Sequence, residues 1–200
     1  MAIATQIGIR DRPAVSQAAF AATIRQRSGQ PIEACFHCHK CTSGCLLAED
    51  MTYGPDQVLR LVELGDEDRL LCSSDIWLCA GCETCGARCP NDIDIAAVMD
   101  ALRQVAVERH AKLAEPDSYK FHWLFLETVR RLGRMHEAML LIGFKLWTGH
   151  LMSDMDSGVP MVLKGKIPLI PRPTQGQREV ARLFEKDPES GTPGASEESQ

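Results

Sequence analysis

The chain reads as an all-α protein. Two observations predict this. Apolar residues recur at helical spacing on both sides of each of two cysteine-rich stretches. Between those stretches the only β-branched residues are Thr52, Val58, Val62 and Ile76, where a small β fold would alternate such residues along hairpins.

The elements follow in order. Residues 1–29 form an N-terminal segment. Residues 1–12 lack periodicity. Pro13 opens a helix running to about Arg27, with Val15, Ala19, Phe20 and Ile24 on a shallow apolar face, and Ser28-Gly29 stops it. That face suits either the next domain or a partner. Residues 30–115 form the central domain. Gly54-Pro55 opens a helix bearing Val58, Leu59, Leu61, Val62 and Leu64. Gly65 closes it, and Asp66 to Leu71 gives a second short turn. Asp92 or Asp94 caps the next helix. Its stripe is Ile95, Val98, Met99, Leu102, Val105 and Ala106, with Arg103, Glu108 and Arg109 on the surface.

Residues 116–185 supply C-terminal helices and an extended arm. Two helical segments over residues 119–148 divide near Gly133, with faces Phe121, Leu124, Phe125, Val129, Leu132 and then Met135, Met139, Ile142, Leu146. They enlarge the core or dock another protein of a complex. From Gly149 to Pro173, repeated proline rules out a long helix, and the apolar arm must lie on its own domain or on a partner. Glu179 to Glu185 adds a turn. Residues 186–200 have a disordered composition.

The chemistry lies in the cysteines. Cys35, Cys38, Cys41 and Cys45 form a C-x-x-C-x-x-C-x-x-x-C run; Cys79, Cys82, Cys85 and Cys89 repeat it, with Pro90 next. This is the ligand run of proteins with two [4Fe–4S] clusters. Three thiolates at this spacing occupy three corners of one cubane. The fourth, about one helical turn on, points away and ligates the other cluster in two-cluster ferredoxins. One expected set is Cys35, Cys38, Cys41 and Cys89; the other is Cys45, Cys79, Cys82 and Cys85. A tetrahedral zinc site needs only four ligands, so the third and fourth cysteines of each run would be surplus. A disulfide framework is disfavoured by the odd count of nine cysteines and by a start without a long apolar run. So many unpaired thiols predict a reducing, cytoplasmic setting.

The formal charge is −5 with cysteines neutral. Two oxidised clusters with their thiolates bring it to about −9. That argues against nucleic acid and anionic membrane surfaces. No stretch approaches the ~20 apolar residues of a spanning helix; Ala138 to Phe144 is the longest candidate. Near the runs, Cys72 reads as a buried structural thiol or a redox-active one. Trp77 shields a cluster or simply fills core. His37 and His39 sit inside a run that lacks no cysteine, so they suit tuning hydrogen bonds rather than ligation.

The paired runs, the helix opening at Gly54-Pro55, Ser74-Asp75-Ile76-Trp77, and Cys89-Pro90 followed by Asn-Asp-Ile-Asp-Ile resemble the C subunit of heterodisulfide reductase. The likeness is strongest over about residues 30–112 and continues to Lys164-Gly165-Lys166 and Pro171. It departs at Leu46, where that family usually has proline. The resemblance implies an α-helical ferredoxin fold and two [4Fe–4S] clusters. It also implies electron transfer between two other heterodisulfide reductase subunits, with no catalytic residue in this chain. One is the A type, bearing flavin and clusters; the other is the B type, which cleaves the disulfide. Consistent with this, there is no Gly-x-Gly for a dinucleotide turn and no Cys-Cys dipeptide of the B type. The alternative is the iron–sulfur subunit of a quinone-linked dehydrogenase of the succinate/fumarate or glycolate type. The succinate type carries a further plant-type C-x4-C-x2-C domain, and this chain has none.

Overall fold

The computed structural model describes residues 14–149, 164 and 171–185. They are helical, with no strand among the described residues, so the all-α class holds. The chain divides into two compact units between Glu115 and Pro116.

The first unit contains α1 (Ala14–Ser28), α2 (Pro55–Glu63), α3 (Glu67–Leu71), α4 (Asp75–Leu78), α5 (Thr84–Ala87) and α6 (Ile95–Glu108). One-turn 3₁₀ helices lie at Ile32–Ala34 and Thr42–Gly44. The helix α6 is central, and α1 through α5 all pack on it. Its stripe is buried as expected: Ile95, Val98, Met99, Leu102, Val105 and Ala106. Each larger aliphatic contributes about 1.5–3 kcal/mol by burial, so this one helix gathers the others. Asp94 is the residue that caps it, accepting from the Ala97 N–H at 3.1 Å. Asp92 instead takes a left-handed φ of 53°.

On α1, Phe20 and Ile24 are buried against this core. Ala19 is exposed, and the side chain of Val15 lies outside the described residues. Arg27 pairs with Glu108, and Arg109 pairs with Glu67 while its guanidinium lies 5.8 Å over the Phe20 ring. Pro55 begins α2, and Gln57 Oε1 accepts from the Gly54 N–H. Gly65 ends the connection with φ +66°, and a Cβ there would meet the Gln17 backbone at 2.5 Å. Two readings of the sequence need correction. Leu64 is exposed, because it falls beyond the last helical residue. Arg103 is not a surface residue: its side chain is 16% exposed, held by backbone carbonyls of α4 and its end.

The second unit contains α7 (Pro116–Leu132), α8 (Glu137–Thr148) and α9 (Gln177–Glu185), with α8 and α9 both packed on α7. The break near Gly133 is present, and Gly133 is left-handed. The faces differ from expectation. Thr128, His136, Ala138 and Leu140 are the buried positions, while Phe121, Phe125, Ile142 and Leu146 are exposed. Few helices meet here, so rings pair at the rim instead: Trp123 with Trp147 at 5.2 Å and Phe121 with Phe144 at 5.8 Å, both edge-to-face. The helix α9 is longer than the turn expected from Glu179, and Thr174 N–H donates to Leu132 O ahead of it. Most of the apolar arm, and residues 186–200, lie outside the described residues. No helix among the described residues is long and apolar enough to cross a membrane.

Candidate metal centre

Both cysteine runs take the same backbone path. Cys35 ends the Ile32–Ala34 turn with φ −67° and ψ 123°; Cys79 ends α4 with φ −58° and ψ 117°. The second and fourth residues after each are left-handed: His37 (50°) and His39 (59°), Gly81 (63°) and Glu83 (58°). The third cysteine then starts or joins a helical turn, Cys41 before Thr42–Gly44 and Cys85 within α5. Three of these four left-handed residues have side chains, at a cost of roughly 1–2 kcal/mol each. Strain repeated at matching positions marks loops shaped by what they wrap.

Packing brings the runs together. Cys35, Cys38, Cys41 and Cys89 line one cavity, with Leu59 and Ile95 on its apolar side. Two hydrogen bonds hold the exit of the second run against the entry of the first. Asn91 Nδ2 donates to Ala34 O, and the Asp94 N–H donates to Gln30 Oε1 at 2.8 Å. On the other side, α5 packs against the Thr42–Gly44 turn that leads into Cys45. The Arg88 side chain lies over Gly44 there, and a Cβ would displace it.

The thiol electrostatics favour a cationic occupant. Burial pushes the Cys35 thiol up, opposed by the His37 N–H at 3.4 Å and reinforced by Glu63, Cys89 and Cys38. Burial also raises Cys41, with Asp56 adding to the effect. Cys85 is pushed up to about 11 by burial first, with Cys79 and Cys41 adding. Exposed Cys82 is lowered by the Thr84 hydroxyl and amide. Buried thiols beside thiols and carboxylates keep their protons until cations arrive, and bound iron would displace those protons. Among the described residues no three His, Cys, Asp or Glu side chains converge on one point closely enough for a single ion. Cys35, Cys38, Cys41 and Cys89 ring a space instead. An all-thiolate, part-apolar set of this kind suits iron–sulfur chemistry.

Charged side chains support both loops. His37 lies between Cys35 Sγ (Nδ1, 3.8 Å) and Glu63 Oε2 (Nε2, 3.2 Å). His39 reaches Asp56 at 2.7 Å, and buried Asp56 also accepts from the Thr42 hydroxyl. Buried Asp75 accepts from the Thr52 and Tyr53 N–H groups. Arg103 donates through Nε to Ile76 O at 2.5 Å and through Nη2 to Cys79 O. Sequence reasoning missed Asp56, Glu63, Asp75 and Arg103 as site residues. For Arg103 a signal existed, since it lies four positions after Met99 and three before Ala106, both on the buried stripe. Trp77 is buried in α4. Cys72 is exposed at the end of α3, which overturns its reading as a buried structural thiol.

Comparison with known proteins agrees with this picture over the same region. Residues 34–94 match the 4Fe-4S dicluster domain family. The chain is 41% identical over 78 residues to the iron–sulfur C 2 subunit of the CoB–CoM heterodisulfide reductase of Methanocaldococcus jannaschii, covering 39% of this chain and 41% of the relative. It is 31% identical over 78 residues to the iron–sulfur C subunit of the Methanopyrus kandleri enzyme, again 39% and 41%. It is 31% identical over 111 residues to the C subunit of the ferredoxin:CoB–CoM heterodisulfide reductase of Methanosarcina acetivorans, covering 56% of this chain and 42% of that one. The chain thus spans about two fifths of the length of these three relatives. The resemblance expected from the sequence is borne out over the cysteine-bearing domain.

Proposed function

We propose that this chain, whose cysteine domain is of the heterodisulfide reductase C-subunit family, is an electron-transfer protein that holds two [4Fe–4S] clusters. Cys35, Cys38, Cys41 and Cys89 hold one. Cys45, Cys79, Cys82 and Cys85 hold the other. The observation that carries this is the cavity lined by three thiols of the first run and the last thiol of the second. The bound clusters supply one-electron chemistry. The protein wraps each with a strained loop and covers the first with Leu59 and Ile95. Cys41 and Cys45 are four residues apart across one 3₁₀ turn, about 8 Å at that rise, so the two sites are near neighbours. Fast exchange between them follows.

In this reading the chain works in a cytoplasmic complex and carries no catalytic residue itself. It passes electrons between an A-type protein, bearing flavin and clusters, and a cysteine-rich B-type protein active on disulfides or sulfur. The test is anaerobic purification of the tagged chain from its native cell. About eight irons and eight sulfides per chain are expected, together with co-purifying flavin-bearing and cysteine-rich proteins. The chain alone should accept electrons without reducing a disulfide. Zinc in place of iron, or a quinone-reducing membrane partner, would overturn the proposal.

A further inference from the structure

We infer that the two clusters sit in opposed electrostatic settings, so that the one wrapped by Cys79, Cys82 and Cys85 is reduced first. The inference rests on the two-cluster reading above. A reduced cluster carries one more negative charge, so a nearby cation raises its potential and a nearby anion lowers it. Charges in solvent are screened, and buried ones are not.

At the first run the buried charges are carboxylates. Asp56 lines the cavity of Cys35, Cys38 and Cys41, and its side chain is 6% exposed. Glu63 is 18% exposed and reaches toward Cys35 through His37. The cations here face solvent: Lys40 lines the same cavity but is exposed, and Arg60, which pairs with Glu63, is more than half exposed. The His39 ring on Asp56 is likewise mostly exposed.

At the second run the order is reversed. The buried charge beside the ligand backbone is the Arg103 guanidinium, bound to the carbonyl of Cys79 itself. Its ion-pair partner Asp100 is 62% exposed. Glu83 and Arg88 are exposed. Asp75 is buried on this side too, but it sits at the first residue of α4, about one helical turn before Cys79, where two amides hold it. Arg103 is therefore the buried charge whose head group itself touches the ligand backbone. It is a positioning residue for the Cys79 loop and a determinant of that cluster's potential.

The test is a redox titration of the full holo-chain, followed by electron paramagnetic resonance. Wild type should show two waves. Arg103→Met should lower the upper wave by about 59 mV, a tenfold change in the one-electron equilibrium, and leave the lower wave in place. Arg103→Lys keeps the charge and should restore the upper wave, which a purely structural role would not require. Glu63→Gln leaves Arg103 untouched and should raise the lower wave only. Eight irons with waves that stay put, or that move together, would overturn the asymmetry alone. Four irons and a single wave would overturn the two-cluster reading and this inference with it.

Discussion

Asn91 offers a test of how the second run reaches the first site. Its amide donates to Ala34 O, one residue before Cys35, and it follows Cys89-Pro90 directly. Asn91→Asp keeps the shape but sets a carboxylate oxygen against that carbonyl. The loss is one hydrogen bond, about 1 kcal/mol, plus the penalty of facing two acceptors in a half-buried place, about 1 kcal/mol more. About 2 kcal/mol of easier opening converts to roughly 30-fold faster release. The assay is anaerobic loss of cluster absorbance to an iron chelator. About half of the signal should leave roughly 30-fold faster than in wild type, and the other half at the wild-type rate. Background variants identify the halves. With Cys82→Ala, which disables the second-run site, all remaining absorbance should leave fast. With Cys38→Ala, which disables the first-run site, the remainder should leave slowly. The opposite pattern would mean that Cys89 serves its own run, and would refute the reasoning.

Two further outcomes follow. Leu102→Ala, at a fully buried position of α6, should cost about 2–5 kcal/mol and lower the thermal midpoint followed by circular dichroism, while Leu64→Ala, at a position 52% exposed, should change it little. In the iron-free chain, a thiol-alkylating reagent with mass-spectrometric mapping should label Cys82 early, at lower pH than an ordinary thiol, and Cys85 late, with its rate still rising toward pH 11. Because the folded Cys85 thiol holds its proton more tightly than the unfolded one, stability of the iron-free fold should decline as pH rises from about 9 to about 11; an increase over that window would contradict the burial of Cys85.

Much of this was legible in the residues themselves. The stripe of α6 has an unbroken helical period, and its cap residue precedes it, so span and buried face both followed. The cysteine spacing carried the metal chemistry because few other ligand sets need it. Other features depend on tertiary contacts that periodicity does not encode. Nothing local marks His37, His39 or Glu83 as left-handed, since their conformation is imposed on the loop. Cys72 reads as an apolar thiol, yet it ends a short helix at the surface. The apolar faces of α7 and α8 are clear in the sequence, but a face is buried only where another element covers it, and Ile142 and Leu146 remain exposed. Arg103 stands at helical spacing from the buried stripe, but its partners, the carbonyls of Ile76 and Cys79, are brought to it only by the fold.

Crossed ligation is the central claim, and a pair of double variants tests it most directly. Cys45→Ala with Cys79→Ala removes two ligands from one site if ligation is crossed, and one from each site if it is not. Metal sites need their full ligand set. The predicted result is a folded chain that keeps about four irons and a single reduced-cluster paramagnetic signal. The companion Cys41→Ala with Cys45→Ala should damage both clusters. Equal damage in the first pair, with one intact cluster in the second, would contradict the account.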